Sequence, residues 1–149
     1  MSPNILFLDD DVKILKSIKR FLKKYSNDWN VHFATTYAEA IPLLKDSSID
    51  LALLDINLPG KNGFDLLEHI KTTPEYQDIE TVMITGMDES DLKRKALKRG
   101  ASDLLHKPIE AEDLIARIQA TLKSKFYKDQ LAEKNKILEQ RSRRNHRFY

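Results

Sequence analysis

Three carboxylates, a hydroxyl and an ammonium group stand where four short apolar runs of the 149-residue chain end. Asp9-Asp10 follow Ile5-Leu6-Phe7-Leu8, and Asp55 follows Leu51-Ala52-Leu53-Leu54. Thr85 follows Thr81-Val82-Met83-Ile84, and Lys107 follows Leu104-Leu105-His106. Brought together, three carboxylates repel one another unless a cation compensates them. Hard oxygen donors of this kind favour Mg²⁺, which keeps some of its waters and binds through one or two carboxylates plus phosphate oxygens. A carboxylate can also act as a nucleophile toward phosphorus, forming an aspartyl phosphate. A hydroxyl and an ammonium then neutralise charge on the phosphoryl oxygens. Each residue alone has a plainer role, as a helix cap, a buried hydroxyl or a surface lysine. The recurrence at successive run ends is what points to chemistry.

The elements that must position this set are legible in the pattern. Val12 to Tyr25 has apolar residues at 14, 15, 18, 21, 22 and 25, which is helical spacing. Val31 to Ala34 reads as a short strand, and Thr36 as the N-cap of a helix from Tyr37 to Asp46. Pro59-Gly60 and Asn62-Gly63 mark a loop before a helix that ends near Thr72. A charged helix is predicted from Glu89 to Arg99, with Gly100 as its C-terminal stop. A last helix starts at Ala111 and runs well past the point where a compact domain should end. Strand and helix alternate five times, which predicts an α/β fold with a five-stranded parallel sheet covered on both faces. In such a sheet the ligand site lies beyond the carboxyl ends of the strands.

Composition sets outer limits. Hydrophobic residues make up 41% and charged residues 32%, a globular balance. No apolar run reaches the length of a membrane span, and the N-terminus lacks the basic start of a signal peptide. There are no cysteines, which excludes disulfides, thiol catalysis and cysteine-held metal and suits the cytoplasm. Four scattered histidines form no H-E-x-x-H pattern. The net charge of +2 hides a split. Residues 1–122 carry 16 Lys+Arg and 20 Asp+Glu, a net of −4, while residues 123–149 carry 9 and 3, a net of +6.

The segments Ile5-Leu6-Phe7-Leu8-Asp9-Asp10-Asp11, Asp55-Ile56-Asn57-Leu58-Pro59-Gly60-Lys61-Asn62-Gly63, Met83-Ile84-Thr85-Gly86 and Gly100 to Pro108 resemble the receiver domain of two-component response regulators. The resemblance covers about residues 3–122, in the right order and spacing. It implies the flavodoxin-like, doubly wound (β/α)5 fold and a role in signal transduction or a phosphorelay. By this resemblance Asp55 accepts a phosphoryl group from a sensor histidine kinase or phosphotransfer protein. Asp9 and Asp10 hold Mg²⁺ together with Asp55 and the backbone carbonyl of Asn57. Thr85 hydrogen-bonds the phosphoryl group, Lys107 pairs with Asp55 or a phosphoryl oxygen, and Lys107-Pro108 is a cis peptide. Gly86 is small and leaves the site accessible. One position departs from the family pattern. Leu104 stands where the family has Tyr or Phe, so the readout surface lacks its aromatic handle.

Residues 123–149 are expected to form a basic helical extension, a coiled-coil linker in character. Tyr127, Leu131, Lys134, Leu138 and Arg141 fall at alternating four- and three-residue steps, of which only Tyr127, Leu131 and Leu138 are apolar. The expected partners are therefore the kinase or phosphotransfer protein and a second copy. The second copy would be met through this helix or through the face of the fourth helix, fifth strand and fifth helix. Arginines near Phe148-Tyr149 are of the kind that contacts nucleic acid or a membrane surface. The 27 residues after Leu122 are too few for a DNA-reading output domain. Two rival readings have their own signatures. A haloacid-dehalogenase-like phosphatase needs an acid two residues after its nucleophile, and Asn57 stands there. A degenerate receiver acting as a phosphorylation-independent interaction module would be expected to lack the acid set that is intact here. The chain is accordingly not expected to be a turnover enzyme.

Overall fold

The structure is a computed structural model describing residues 2–147, with side chains described to Arg144. The elements in chain order are β1 (Asn4–Leu8), α1 (Val12–Leu22), β2 (Asn30–Ala34), α2 (Tyr37–Asp46), β3 (Leu51–Asp55), α3 (Gly63–Thr72), β4 (Glu80–Thr85), α4 (Leu92–Lys98), β5 (Asp103–His106) and α5 (Ala111–Arg147). Short 3₁₀ turns at Lys23–Tyr25 and Pro74–Tyr76 close α1 and follow α3. The five strands pair in parallel in the order β2-β1-β3-β4-β5. This is the expected doubly wound α/β architecture.

The continuous apolar runs follow from burial on both faces. Alternate strand residues point to opposite sides. Ile5, Phe7, Leu51, Leu53, Val82 and Ile84 pack with Leu15, Ile18 and Leu22 of α1 and Leu114 and Ile118 of α5. Their neighbours Leu6, Leu8, Ala52, Leu54 and Met83 pack under α2, α3 and α4. Strands β2 and β5 form the edges and are only partly covered.

The helix starts are built from side-chain caps. The Asp11 carboxylate accepts from the Lys13 and Ile14 amides, and the Thr36 hydroxyl accepts from Glu39. Asn62 and Asp65 form a reciprocal capping box at α3. The fourth helix is shorter than its sequence predicts, Leu92–Lys98 rather than Glu89 to Arg99. Glu89 to Leu92 instead close a turn in which the Leu92 amide donates to the Glu89 carbonyl at 3.2 Å, and the Asp91 side chain bonds Arg94 at 3.1 Å without capping the backbone. Gly100 ends it with φ +100°, as expected of a C-terminal stop. Helix α5 continues unbroken beyond Leu122 to Arg147, and Phe148 and Tyr149 lie outside the described residues. No helix among the described residues is long and apolar enough to cross a membrane.

One core hydroxyl lacks a partner. Thr81 Oγ1 in β4 is buried without a hydrogen bond among the described residues. A buried donor left unmade costs its desolvation, whereas an apolar group of the same shape does not. Thr81→Val is therefore expected to stabilise the fold by about 1 kcal/mol, read as a rise in the urea midpoint with unchanged slope.

Candidate functional site

The strand register carries the predicted residues to one sheet edge. Leu8 pairs with Leu54, so Asp9 and Asp55 emerge side by side from β1 and β3. Asp55 is the last residue of β3 and is level with Ile84, which places Thr85 one step further along β4. Thr85 pairs with His106, and the Lys107 amide donates to the Thr85 carbonyl at 2.7 Å. The Lys107-Pro108 peptide is cis.

The acid cluster forms around the Lys107 ammonium. Lys107 Nζ lies 2.9 Å from Asp9 Oδ2 and 3.0 Å from Asp55 Oδ2. The other oxygens accept backbone bonds, Asp9 Oδ1 from the Asp11 amide and Asp55 Oδ1 from the Asn57 amide, both at 2.9 Å. Asp9 and Asp55 are buried, at 4% and 1% exposure, while Asp10 and Asn57 are exposed. One carboxylate oxygen from each of Asp9, Asp10 and Asp55 lies within 4.8 Å of the others. Hard oxygens this close, two of them buried and one at the rim, fit a small divalent cation with waters on its open side. Thr85 is fully buried, and its hydroxyl accepts from the Met87 amide at 3.0 Å. A Cβ added at Gly86 would meet nothing within 4 Å, so packing does not demand a glycine beside Thr85.

Burial pushes the Asp9 carboxyl above its ordinary value of 3.8, and the nearby Asp55 charge adds to this. The Asp11 amide and Lys107 oppose the rise without cancelling it. On Lys107, desolvation favours the neutral amine, but the bonds and charges of Asp9 and Asp55 outweigh it and raise the pKa. The folded chain thus holds the Asp9 proton more tightly than the unfolded chain does. Folding takes up protons between the ordinary and the raised value, so this group's contribution to stability falls as pH rises through that window. In Mg²⁺-free buffer at neutral pH, Asp9→Asn should raise the melting temperature by ~3 °C. The gap should narrow as pH is lowered toward 3.8 and close below it, where Asp9 is protonated in the folded and the unfolded chain alike. A gap independent of pH would contradict the assignment.

The sequence marks Gly63 as part of a loop and as the last residue of the Asp55–Gly63 segment that resembles the family, with no role of its own. Gly63 opens α3 against the backbone of Asp55. A Cβ there would stand 2.9 Å from the Asp55 carbonyl carbon, nearer still to its oxygen, and 3.1 Å from Met83 Cε. The available signal was a glycine at the first position of a well-capped helix, where no turn requires one.

A sequence model described as the response regulator receiver domain matches residues 5–119. The chain belongs to this receiver family. The receiver is 36% identical over 109 residues to the transcriptional regulatory protein MalR of Bacillus subtilis (strain 168), covering 73% of this chain and 46% of MalR. It is 36% identical over 123 residues to the regulatory protein VanR of Enterococcus faecium, covering 83% of this chain and 51% of VanR. The receiver thus spans about half the length of the curated relatives it matches. Its fold is similar to a CheY-like response regulator receiver domain protein of Methanospirillum hungatei JF-1. The TM-score is 0.77 at 29% identity, over 86% of this chain and 99% of the other.

Leu104, at the position where the family pattern has an aromatic, is 5% exposed and packs in the cluster under α4. The receiver's β5 therefore holds an aliphatic side chain inside the α4 layer.

Proposed function

We propose that the receiver accepts a phosphoryl group on Asp55 from a sensor histidine kinase or phosphotransfer protein and changes conformation in response. The reading is carried by one observation: Asp55, Asp9 and Lys107 meet at the carboxyl ends of the sheet with Lys107 Nζ within 3.0 Å of both carboxylates. Mg²⁺ is the metal the donor set fits best, held by Asp9, Asp10, Asp55 and the Asn57 carbonyl. Bound there, it would neutralise charge on the phosphoryl oxygens. Lys107 would supply a second positive charge and Thr85 a hydroxyl. When Asp55 becomes an acyl phosphate, Lys107 loses one of its two carboxylate partners. Turning to donate its O–H to a phosphoryl oxygen, the Thr85 hydroxyl would give up the bond it accepts from the Met87 amide. Such an exchange would couple the site to the loop before α4 and to the α4–β5–α5 face. With Leu104 already packed inward, this response runs through backbone and aliphatic packing.

The receiver unit is assigned to residues 1–122 and the basic helical extension to residues 123–149, in a cytoplasmic protein that is not a turnover enzyme. Beyond Leu122 the helix exposes Phe126, Tyr127, Leu131, Ile137 and Leu138. This supports a linker helix that pairs with a second copy. The test is incubation of the full chain with Mg²⁺ and a small phosphodonor, read by intact mass. A gain of one phosphoryl group that disappears with chelator is expected. No gain would sink the reading and favour a phosphorylation-independent interaction module.

A further inference from the structure

The acidic body contains a second charge split. Val12 to Tyr25, which is α1 and its closing turn, carries six Lys+Arg and no Asp or Glu. The rest of residues 1–122 then carries 10 Lys+Arg against 20 Asp+Glu. Among the described residues, none of the six α1 cations makes an ion pair. They are exposed and concentrated on one element.

On one flank of α1 this charge borders an open sheet edge. A groove of about 490 Å³ runs between α1 and β2. Lys16, Lys19, Arg20 and Lys23 form its rim, and no carboxylate lines it. Its apolar wall is Trp29, Val31 and Phe33. The ladder shows which backbone groups face outward. The Asn30 amide donates to the Pro3 carbonyl, and the Ala34 carbonyl accepts from Asp9, so Asn30, His32 and Ala34 face β1. In a parallel strand the alternate residues Val31 and Phe33 then present their N–H and C=O groups to the free edge. The cleft on the other flank of α1, lined by Phe21, Lys107 and Pro108 among others, is separate.

We propose that this groove docks an extended acidic peptide, which adds to β2 as a sixth strand and sets carboxylates against the α1 lysines. Main-chain bonds to Val31 and Phe33 supply the ladder, a short apolar side chain covers Trp29, and flanking glutamates meet the rim. The occupant is a peptide rather than a nucleic acid because the aromatic rings are largely covered. Trp29 is 8% exposed and stacked on Tyr25 at 4.8 Å, and Phe33 has one face stacked on Phe7 at 5.7 Å, so little ring surface is offered to a base. The arrangement does not depend on the phosphoryl chemistry of Asp55.

The full chain contains one tryptophan, Trp29, which reports on the groove directly. The probe is a nine-residue peptide of threonine alternating with glutamate and valine. It is titrated against Trp29 fluorescence, with amide exchange read at Val31 and Phe33. Saturable binding with slowed exchange at both amides is expected. Triple reversal Lys16→Glu, Lys19→Glu and Lys23→Glu, all exposed positions, should weaken binding roughly tenfold or more at unchanged melting temperature. N-methylation of alternate peptide amides should weaken it similarly, because strand pairing is then blocked while the charge stays. The proposal is overturned if the peptide does not bind, if binding survives either change, or if oligothymidylate or anionic vesicles of phosphatidylserine bind the same rim more tightly. A null result with the peptide would mean that the lysines guard the edge against pairing.

Discussion

Asp55→Asn is expected to take up no phosphoryl group under conditions in which the wild-type chain gains one. The substitution is nearly isosteric, and the amide oxygen can still accept from the Asn57 amide now 2.9 Å from Asp55 Oδ1. The change removes the charge that Lys107 meets at 3.0 Å and replaces a nucleophilic carboxylate oxygen by a weakly nucleophilic amide. The fold should survive, because Asp9 keeps Lys107 paired at 2.9 Å. Intact mass with and without Mg²⁺ is the measurement. Equal uptake by the variant would move the phosphoacceptor to another carboxylate and refute the assignment of Asp55.

Gly63→Ala is the second large effect. An alanine Cβ cannot fit without moving the Asp55 carbonyl, whose carbon would lie 2.9 Å away. Met83 can yield, because only its terminal methyl is close, at 3.1 Å. The Asp55 peptide cannot yield as cheaply. The following amide, Ile56, donates to the Ile84 carbonyl at 2.8 Å, and β3 is paired on both sides. Alanine favours a helix over glycine by ~1 kcal/mol, which offsets part of the strain. The net expectation is a loss of about 2–4 kcal/mol, or roughly 10 °C in melting temperature. Phosphoryl uptake should slow as well, because the displaced peptide carries the acceptor. Gly86→Ala is the control, since open space surrounds that position and little change is expected. A Gly63→Ala chain as stable as wild type would show that the α3 start is free to retreat from β3.

The core strands were readable because parallel strands buried on both faces must be apolar at every position. Ile5–Leu8, Leu51–Leu54 and Thr81–Ile84 meet that demand apart from Thr81, whose hydroxyl is the orphan described above. The start of α4 was not readable. Glu89, Ser90 and Asp91 are compatible with a first helical turn, and only the fold shows them closing a separate turn, with the Leu92 amide donating to the Glu89 carbonyl at 3.2 Å. The extension was readable as helix because nothing between Lys123 and Arg144 breaks one, and α5 indeed runs through it.

The sequence by itself determined which groups stand at the strand ends and in what order. A continuous apolar run stops where a polar residue appears, and that is local information. The tertiary structure alone decided how those ends sit relative to one another. Strand order is set by which covered faces pack best, not by any local pattern. It brought Lys107 within 3.0 Å of Asp55, a residue 52 positions earlier. It pressed Gly63 against the Asp55 backbone. It also placed β2 at the rim of the sheet, so that a lysine-rich helix borders backbone groups left unpaired.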